Sequence, residues 1–428
     1  MKFNKRYSID SLSRGTDEDQ HGLMFVNSQG MTDLTGVIVL GASIDTVRQI
    51  FSGVPRLDMI ERLNGYLEEK ENIITLEGRG VWHFSRMSKK SGYRYKLQNN
   101  EFGLIILFCS WYGMIDNEGS HLKFELSPHF ILTRTPKQIK DYLGSKIGGL
   151  AGLFLDDYKA HGVAIHQACD YQGFDLPDDF ITRFATSSRT VRNFDGISTL
   201  DLSGFSDAVA TYGGKSQERN YTIGKPQSVQ MCLYGKTQET IKSDKVDYFY
   251  EQWQIYSSGA YDDTKDVRRI EARVHHTIIR EIGLGMGLEF EEFSQVVPYL
   301  TDIWRYALQR NRLMVSAKNL SQGYVEPFWQ LLMQDVEFYC PAKAVKIVRK
   351  KKQAIDPISK NITSVLGNYL SIVARQGLDV ERVMAQLRAL HIYDDIVAYY
   401  RRRGLSEVDL RNFVKEGLQR RRIYGKAA

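Results

Sequence analysis

The segment that most restricts the fold is Val267-Arg-Arg-Ile-Glu-Ala-Arg-Val-His-His276. Ile270, Ala272 and Val274 alternate with Arg269, Glu271, Arg273 and His275, so an extended chain sends the aliphatic side chains to one face and the charges to the other. Such a segment requires a sheet and a layer that covers the sheet's apolar side. Similar runs precede it at Thr35–Leu40, Asn72–Glu77, Gly103–Trp111, His121–Leu126, Gly162–Tyr171, Ser198–Leu202, Val209–Tyr212 and Ser228–Tyr234.

Helices are expected between them. One spans Ser43–Ser52, and another opens at Thr135-Pro136, an N-cap followed by proline at the first helical position, and runs to about Tyr142. A third starts within Asp175-Leu-Pro-Asp-Asp-Phe180, and Thr237–Tyr256 carries Ile241, Val246, Phe249 and Trp253 at helical spacing. The strand Val267–Ile278 then gives way to an all-helical remainder, with three helices past Lys352, two of them capped at Asp379 and Ser406. The pattern predicts an α+β fold: a largely antiparallel sheet with flanking helices, followed by an all-helical, basic C-terminal domain.

Charge separates these parts. The 428-residue chain carries a net +6, but residues 341–428 hold 19 Lys+Arg against 8 Asp+Glu, a net of +11, while residues 1–340 hold 38 against 43, a net of −5. A positive appendage on a near-neutral body is the electrostatic layout of a polyanion binder. With 43% apolar and 25% charged residues the composition is that of a globular protein and excludes disorder. The four cysteines (Cys109, Cys169, Cys232, Cys340) are far apart, which argues against a disulfide framework or structural zinc and for a reducing, cytoplasmic setting. No apolar run approaches the ~20 residues of a bilayer span, and the N-terminus shows no secretory h-region, so no membrane partner is expected.

Four segments can carry chemistry. In Ser228–Glu239 a strand ends in Tyr234, with Gly235 and Lys236 after it, so phenol and ammonium project from one edge. A phenol with a pKa of ~10 is a weak nucleophile until a cation stabilises its phenolate; the plain alternative is an interface tyrosine beside a solvated lysine. On the 267–276 strand, Glu271 can ligate a hard divalent cation and Arg269 and Arg273 can hold phosphates, against the alternative of an exposed charged face. His166 and Asp170 lie on one face of the third segment and can present both side chains to one cation, or form a hydrogen-bonded structural pair. His121, Lys123 and Glu125 share a face of the fourth, read as a solvent face. The turn Gly213-Gly214-Lys215 can approach a phosphate, but GxxxxGK[ST], GxSxG and HExxH are all missing, which removes nucleotide-fuelled, serine-hydrolase and zincin chemistry.

Taken in order, the chain resembles the rolling-circle replication initiation proteins of the plasmid and phage (Rep_trans) type, filamentous phage initiators included. The resemblance covers about residues 120–280: an early strand at Ser120–Leu126, then Ile165-His-Gln-Ala-Cys-Asp-Tyr-Gln-Gly-Phe174, then Tyr234, Lys236 and Glu239, Ser243-Asp-Lys245 with Trp253 downstream, and finally Arg269 and Glu271. It implies a site-specific DNA endonuclease and strand transferase: Tyr234 attacks a phosphodiester and keeps the 5′ phosphate, Lys236 is its electrostatic partner, and His166, Asp170 and Glu271 hold Mg²⁺ or Mn²⁺. His166 stands where the family pattern has an aspartate. The implied divisions are the strand-rich first part of the initiator core (1–118), the nickase region (119–340) and a basic helical DNA-binding domain (341–428). Implied partners are origin DNA, single-stranded or hairpin at the nick and duplex for recognition, a host helicase and a second copy in a homodimer. DNA contacts are expected from Arg269, Arg273, Lys215, Arg401, Arg402, Arg403, Arg420, Arg421 and Arg422. The competing readings are a non-catalytic DNA-binding regulator with an initiator-like fold and a conjugative relaxase with the same chemistry. Tyr399-Tyr400 is read as a stacking or packing pair.

Overall fold

The computed structural model describes the chain apart from residues 1–12, 16–23, 28–29, 35, 77–79, 189–190, 194–219, 243–245, 319, 321–322, 339–344, 346, 351–357, 403 and 424–428. The strands expected at 198–202 and 209–212, the turn with Lys215 and Cys340 therefore lie outside the described residues. Two compact units result, residues 1–350 and 351–428.

In the first unit a small antiparallel sheet of β1 (Ser13–Gly15), β2 (Met24–Asn27) and β3 (Gly30–Asp33) precedes the main one. Among the described residues the main sheet has eleven strands: β4 (Ile38–Pro55), β5 (Ile73–Thr75), β6 (Val81–Arg86), β7 (Tyr93–Asn99), β8 (Leu104–Ser110), β9 (Gly119–Leu126), β10 (Leu155–Gln172), β12 (Val191–Asn193), β13 (Tyr221–Ile223), β14 (Val229–Gly235) and β15 (Arg268–Val274). Their order is β12-β13-β14-β15-β10-β4-β9-β8-β7-β6-β5, antiparallel at every pair, so the expected α+β class with an antiparallel sheet is what the chain forms. Strands from both sides of residue 118 stand side by side in it.

The aliphatic half of the 268–274 alternation does what it predicts. Ile270, Ala272 and Val274 join Ile44, Val47, Phe51, Phe124, Ile165 and Met231 on one face, where helices Leu57–Glu68, His276–Met286, Leu300–Arg310 and Pro327–Gln334 cover them. The other face carries the charges, and helix Val246–Tyr256 packs over part of it through Phe249 and Trp253. Thr135 caps helix Pro136–Tyr142 in a reciprocal box with Gln138, an arrangement worth on the order of 1 kcal/mol.

Three sequence expectations fail here. Residues 43–52 pair with β10 as strand, not helix, and a bulge in β4 accounts for their helix-like apolar spacing. Ile44 pairs with Gln167 and Thr46 with His166, leaving Asp45 as an extra residue, and the apolar positions Ile44, Val47 and Phe51 fall at the i, i+3, i+7 spacing of a helix. The strand expected to reach Ile278 stops at Val274, because the His275 side chain accepts from the Thr277 N–H and caps a helix. The remainder is not wholly helical: β16 (Asn311–Leu313) pairs with β11 (Phe184–Thr186).

Among its described residues the second unit packs four helices, Ile358–Arg375, Val380–Arg388, Tyr393–Arg401 and Glu407–Ile423, against an expectation of three. Gly377, at φ +69°, ends the first of them, a left-handed position that favours glycine. Asp379 caps the second through the Arg382 N–H, and Ser406 exchanges hydrogen bonds with Asp409 at the head of the last. Tyr399 and Tyr400 are buried in this unit's core.

Candidate metal and phosphate site on the charged face

The charged residues of β15 meet polar side chains of three other strands, β14, β10 and β4. Register sets the partners: Arg269 stands opposite Tyr234 on β14 and Asp170 on β10, and Arg273 opposite His166. Two carboxylate centres follow.

In the first centre Arg269, 1% exposed, grips Asp170 with both nitrogens (Nε to Oδ1 2.6 Å, Nη2 to Oδ2 2.8 Å) and gives its third arm to Asp45 Oδ1 at 2.7 Å. Trp253 Nε1 donates to Asp170 Oδ2 at 2.8 Å. Burial works against the guanidinium's charge, but Asp170 beside it holds its pKa well above the ordinary value. Bidentate, fully desolvated pairing of this kind is strong and geometrically specific.

Glu271 forms the second. Arg273 donates to both its oxygens (2.8 and 2.9 Å), His166 Nδ1 lies 3.1 Å from Oε1, and the Tyr234 hydroxyl donates to Oε2 at 3.3 Å. Burial alone raises a carboxyl pKa, yet Arg273 and the His166 hydrogen bond hold Glu271 well below the usual range. Burial pushes the Tyr234 phenol well above its usual range, and the Glu271 charge adds to this, so the phenol is protonated at neutral pH. Burial lowers His166 and keeps it neutral. Because Arg48 Nη1, a donor only, faces His166 Nε2 at 3.4 Å, the ring proton belongs on Nδ1 toward Glu271.

Asp45, His166 and Glu271 bring one ligand atom each to within 4.8 Å of one another, a group able to hold a metal ion. Two of its members are sequence candidates. The third, Asp45, was hidden inside the expected helix and reaches the site because the bulge turns it onto the same face as Thr46.

Several expected roles change. Asp170 is not in the metal group; its oxygens belong to Arg269 and Trp253. Lys236 is buried against Glu239, its Nζ 4.0 Å from the centre of the Phe249 ring, and the cation paired with Tyr234 across the sheet is Arg269. Burial, with Arg269 nearby, lowers the Lys236 pKa. Arg269 is sealed in ion pairs rather than offered to a polyanion, and Arg273, 13% exposed, is committed to Glu271. The face read as solvent-exposed at His121, Lys123 and Glu125 is buried, and Glu125 pairs with Arg48 (Nε to Oε2 2.6 Å). Burial together with Arg48 brings the Lys123 pKa down to about 8. Gln172 and Gly173, shared with the family pattern, are structural: Gln172 Nε2 donates to the Asp262 and Lys265 carbonyls, and Gly173, at φ +80°, would set a Cβ 1.7 Å from the Gly36 carbonyl oxygen.

In the helical unit Arg401 and Arg402 are exposed. Arg421 is not: it donates to Ser371 Oγ and the Gly367 and Gly417 carbonyls, tying the last helix to the first. Arg403 and the side chains of Arg420 and Arg422 lie outside the described residues. Among the described residues no helix is long and apolar enough to cross a membrane.

Over 413 residues, 92% of this chain and 91% of the relative, the sequence is 29% identical to an uncharacterized protein, ORF430, of Pseudomonas phage Pf1. No family model and no solved structure matches the chain. The chain is thus similar to a phage protein along nearly its whole length.

Proposed function

We propose that this is a phage DNA-replication initiator that nicks one strand at an origin through Tyr234, with Mg²⁺ or Mn²⁺ held by Asp45, His166 and Glu271. The observation that carries the reading is convergence: Tyr234, His166 and Glu271 come from three strands, and the phenol's hydroxyl rests on a carboxylate of the one metal-competent group among the described residues. The similarity to a phage protein supports the setting.

When bound, the cation would offset charge that builds on the phosphoryl oxygens and stabilise the phenolate. The donor set, two carboxylates and an imidazole, accepts Mn²⁺ more readily than the oxygen-preferring Mg²⁺. The chain's own residues do the rest. The Tyr234 oxygen forms a bond to phosphorus as the P–O3′ bond breaks; the phenol proton passes to Glu271 and from Glu271 to the departing 3′ oxygen, which leaves as a hydroxyl, giving a 5′-phosphotyrosine whose energy is conserved for rejoining. Arg273 suppresses the basicity of Glu271 while paired with it, so movement of its guanidinium to the phosphate both holds the substrate and restores the base. The exposed Arg401 and Arg402 of the helical unit suit duplex contacts.

One observation favours the non-catalytic regulator instead: every carboxylate of the group already has an arginine partner. The two readings part on covalent chemistry. Incubated with single-stranded origin DNA from its own genome and Mn²⁺, the protein is expected to form a DNA adduct that survives denaturing gels, and Tyr234→Phe is expected to abolish it. Wild-type protein that yields neither adduct nor cleavage with either metal would defeat the nickase.

A further inference from the structure

Beside the metal group, on the same sheet face, lies a pocket of about 240 Å³. That is a space on the scale of one nucleobase with its sugar, not of a base pair. Its cations are Lys123 and Arg48, the latter already bound to Glu125 through Nε and Nη2, and no carboxylate lines it among the described residues. Arg48 spans both places, since the same guanidinium that borders the pocket approaches His166 Nε2 at 3.4 Å.

The rim carries the second observation. Tyr112 is 74% exposed, the most exposed large apolar side chain among the described residues, and an aromatic ring left in water calls for a partner. It is nonetheless held in place, because its hydroxyl donates to the Lys89 carbonyl at 3.3 Å. The neighbouring Trp111 is fixed between Arg86 and Arg94, at 5.6 and 4.7 Å from its ring centre. An anchored, exposed ring beside buried cations is how proteins bind unpaired bases: the ring stacks on the base and the cation takes the backbone phosphate.

We propose that this pocket seats one unpaired nucleotide of single-stranded DNA, its base stacked on Tyr112 and its phosphate held by Lys123 and Arg48. The proposal rests on the nickase reading for the strand's identity: a nucleotide here adjoins the phosphodiester presented to Tyr234 and sets which bond lies over the metal group. A duplex cannot enter without opening, so the site selects melted or looped DNA.

The test is equilibrium binding of a fluorescein-labelled thymidine octamer, followed by anisotropy in EDTA. Tyr112→Ala is expected to weaken binding about tenfold, within the roughly 1–3 kcal/mol of a base–aromatic stack. An octamer with abasic sites is expected to bind wild type about tenfold less well and to bind Tyr112→Ala no worse than the intact octamer does. Lys123→Met is expected to flatten the dependence of log K on log salt by about 0.7, one single-strand phosphate. Equal wild-type affinity for intact and abasic octamers, or displacement of the octamer by inorganic phosphate as readily as by thymidine monophosphate, would leave an anion site only and overturn the proposal. Because the readout needs neither metal nor adduct, base dependence without an adduct rejects the nickase, and an adduct without base dependence rejects the pocket.

Discussion

Asp170 and Glu271 are both buried carboxylates on one face of one sheet, each gripped by an arginine through two hydrogen bonds. They differ in their third partner. Asp170 has an indole N–H, which can only donate and cannot titrate, so its centre is a fixed strut that pins helix Val246–Tyr256 to β10 and β15. Glu271 has an imidazole and a phenol, both able to exchange protons and to bind cations. The same carboxylate–arginine pairing is closed off by an inert donor in one centre and bordered by titratable groups in the other.

The largest test of that difference is Asp170→Ala. It leaves Arg269 buried without its main counter-charge, and breaking such a pair typically costs about 3–5 kcal/mol. Urea unfolding is expected to show a loss of that order, whereas a loss under about 1 kcal/mol would deny Asp170 the strut role.

The second test uses acid. Glu271 has a folded-state pKa well below its unfolded value near 4.5, so its ionised form stabilises the fold above pH ~4.5, and that contribution disappears as pH falls through the folded value. Wild-type stability is therefore expected to fall more steeply below pH 4.5 than that of Glu271→Gln. Parallel profiles from paired urea titrations at pH 3 to 6 would show that Glu271 is not held down by Arg273 and His166.

The smallest effects compare the third partners directly. Trp253→Phe removes a donor to a charged acceptor and is expected to cost about 1.5–3 kcal/mol without altering any stabilisation by Mn²⁺. Tyr234→Phe removes a longer bond and is expected to cost about 1 kcal/mol or less. Thermal unfolding with and without Mn²⁺ reads both; the reverse order of losses would make the tyrosine, not the tryptophan, the structural member.

Much of this architecture is legible in the residues. The alternation at 269–274 foretells a strand with one charged face, and Thr135-Pro136 and Asp379 mark helix starts where the helices begin. Local pattern fails where partners come from afar. That Lys123 and Glu125 are buried depends on Arg48, supplied by the neighbouring strand, and nothing near Asp170 in the chain announces that Arg269 and Trp253 will consume it. Asp45 was lost for a different reason, since the bulge that delivers it to the site also gives its strand the apolar spacing of a helix.

That bulge also makes Asp45 detachable. A β-strand reads its residues in two phases, inward and outward, and Asp45 is the extra residue at which β4 slips phase between Ile44 and Thr46, as it does again between Val39 and Gly41. Excising Asp45 alone would return Ile44, Thr46 and Val47 to strict alternation, with Ile44 and Val47 still on the apolar side and Thr46 and Arg48 still on the charged one. Loss of a single codon can therefore remove one member of the metal-competent group and leave the sheet's hydrophobic order untouched, at the cost of one counter-charge to the buried Arg269.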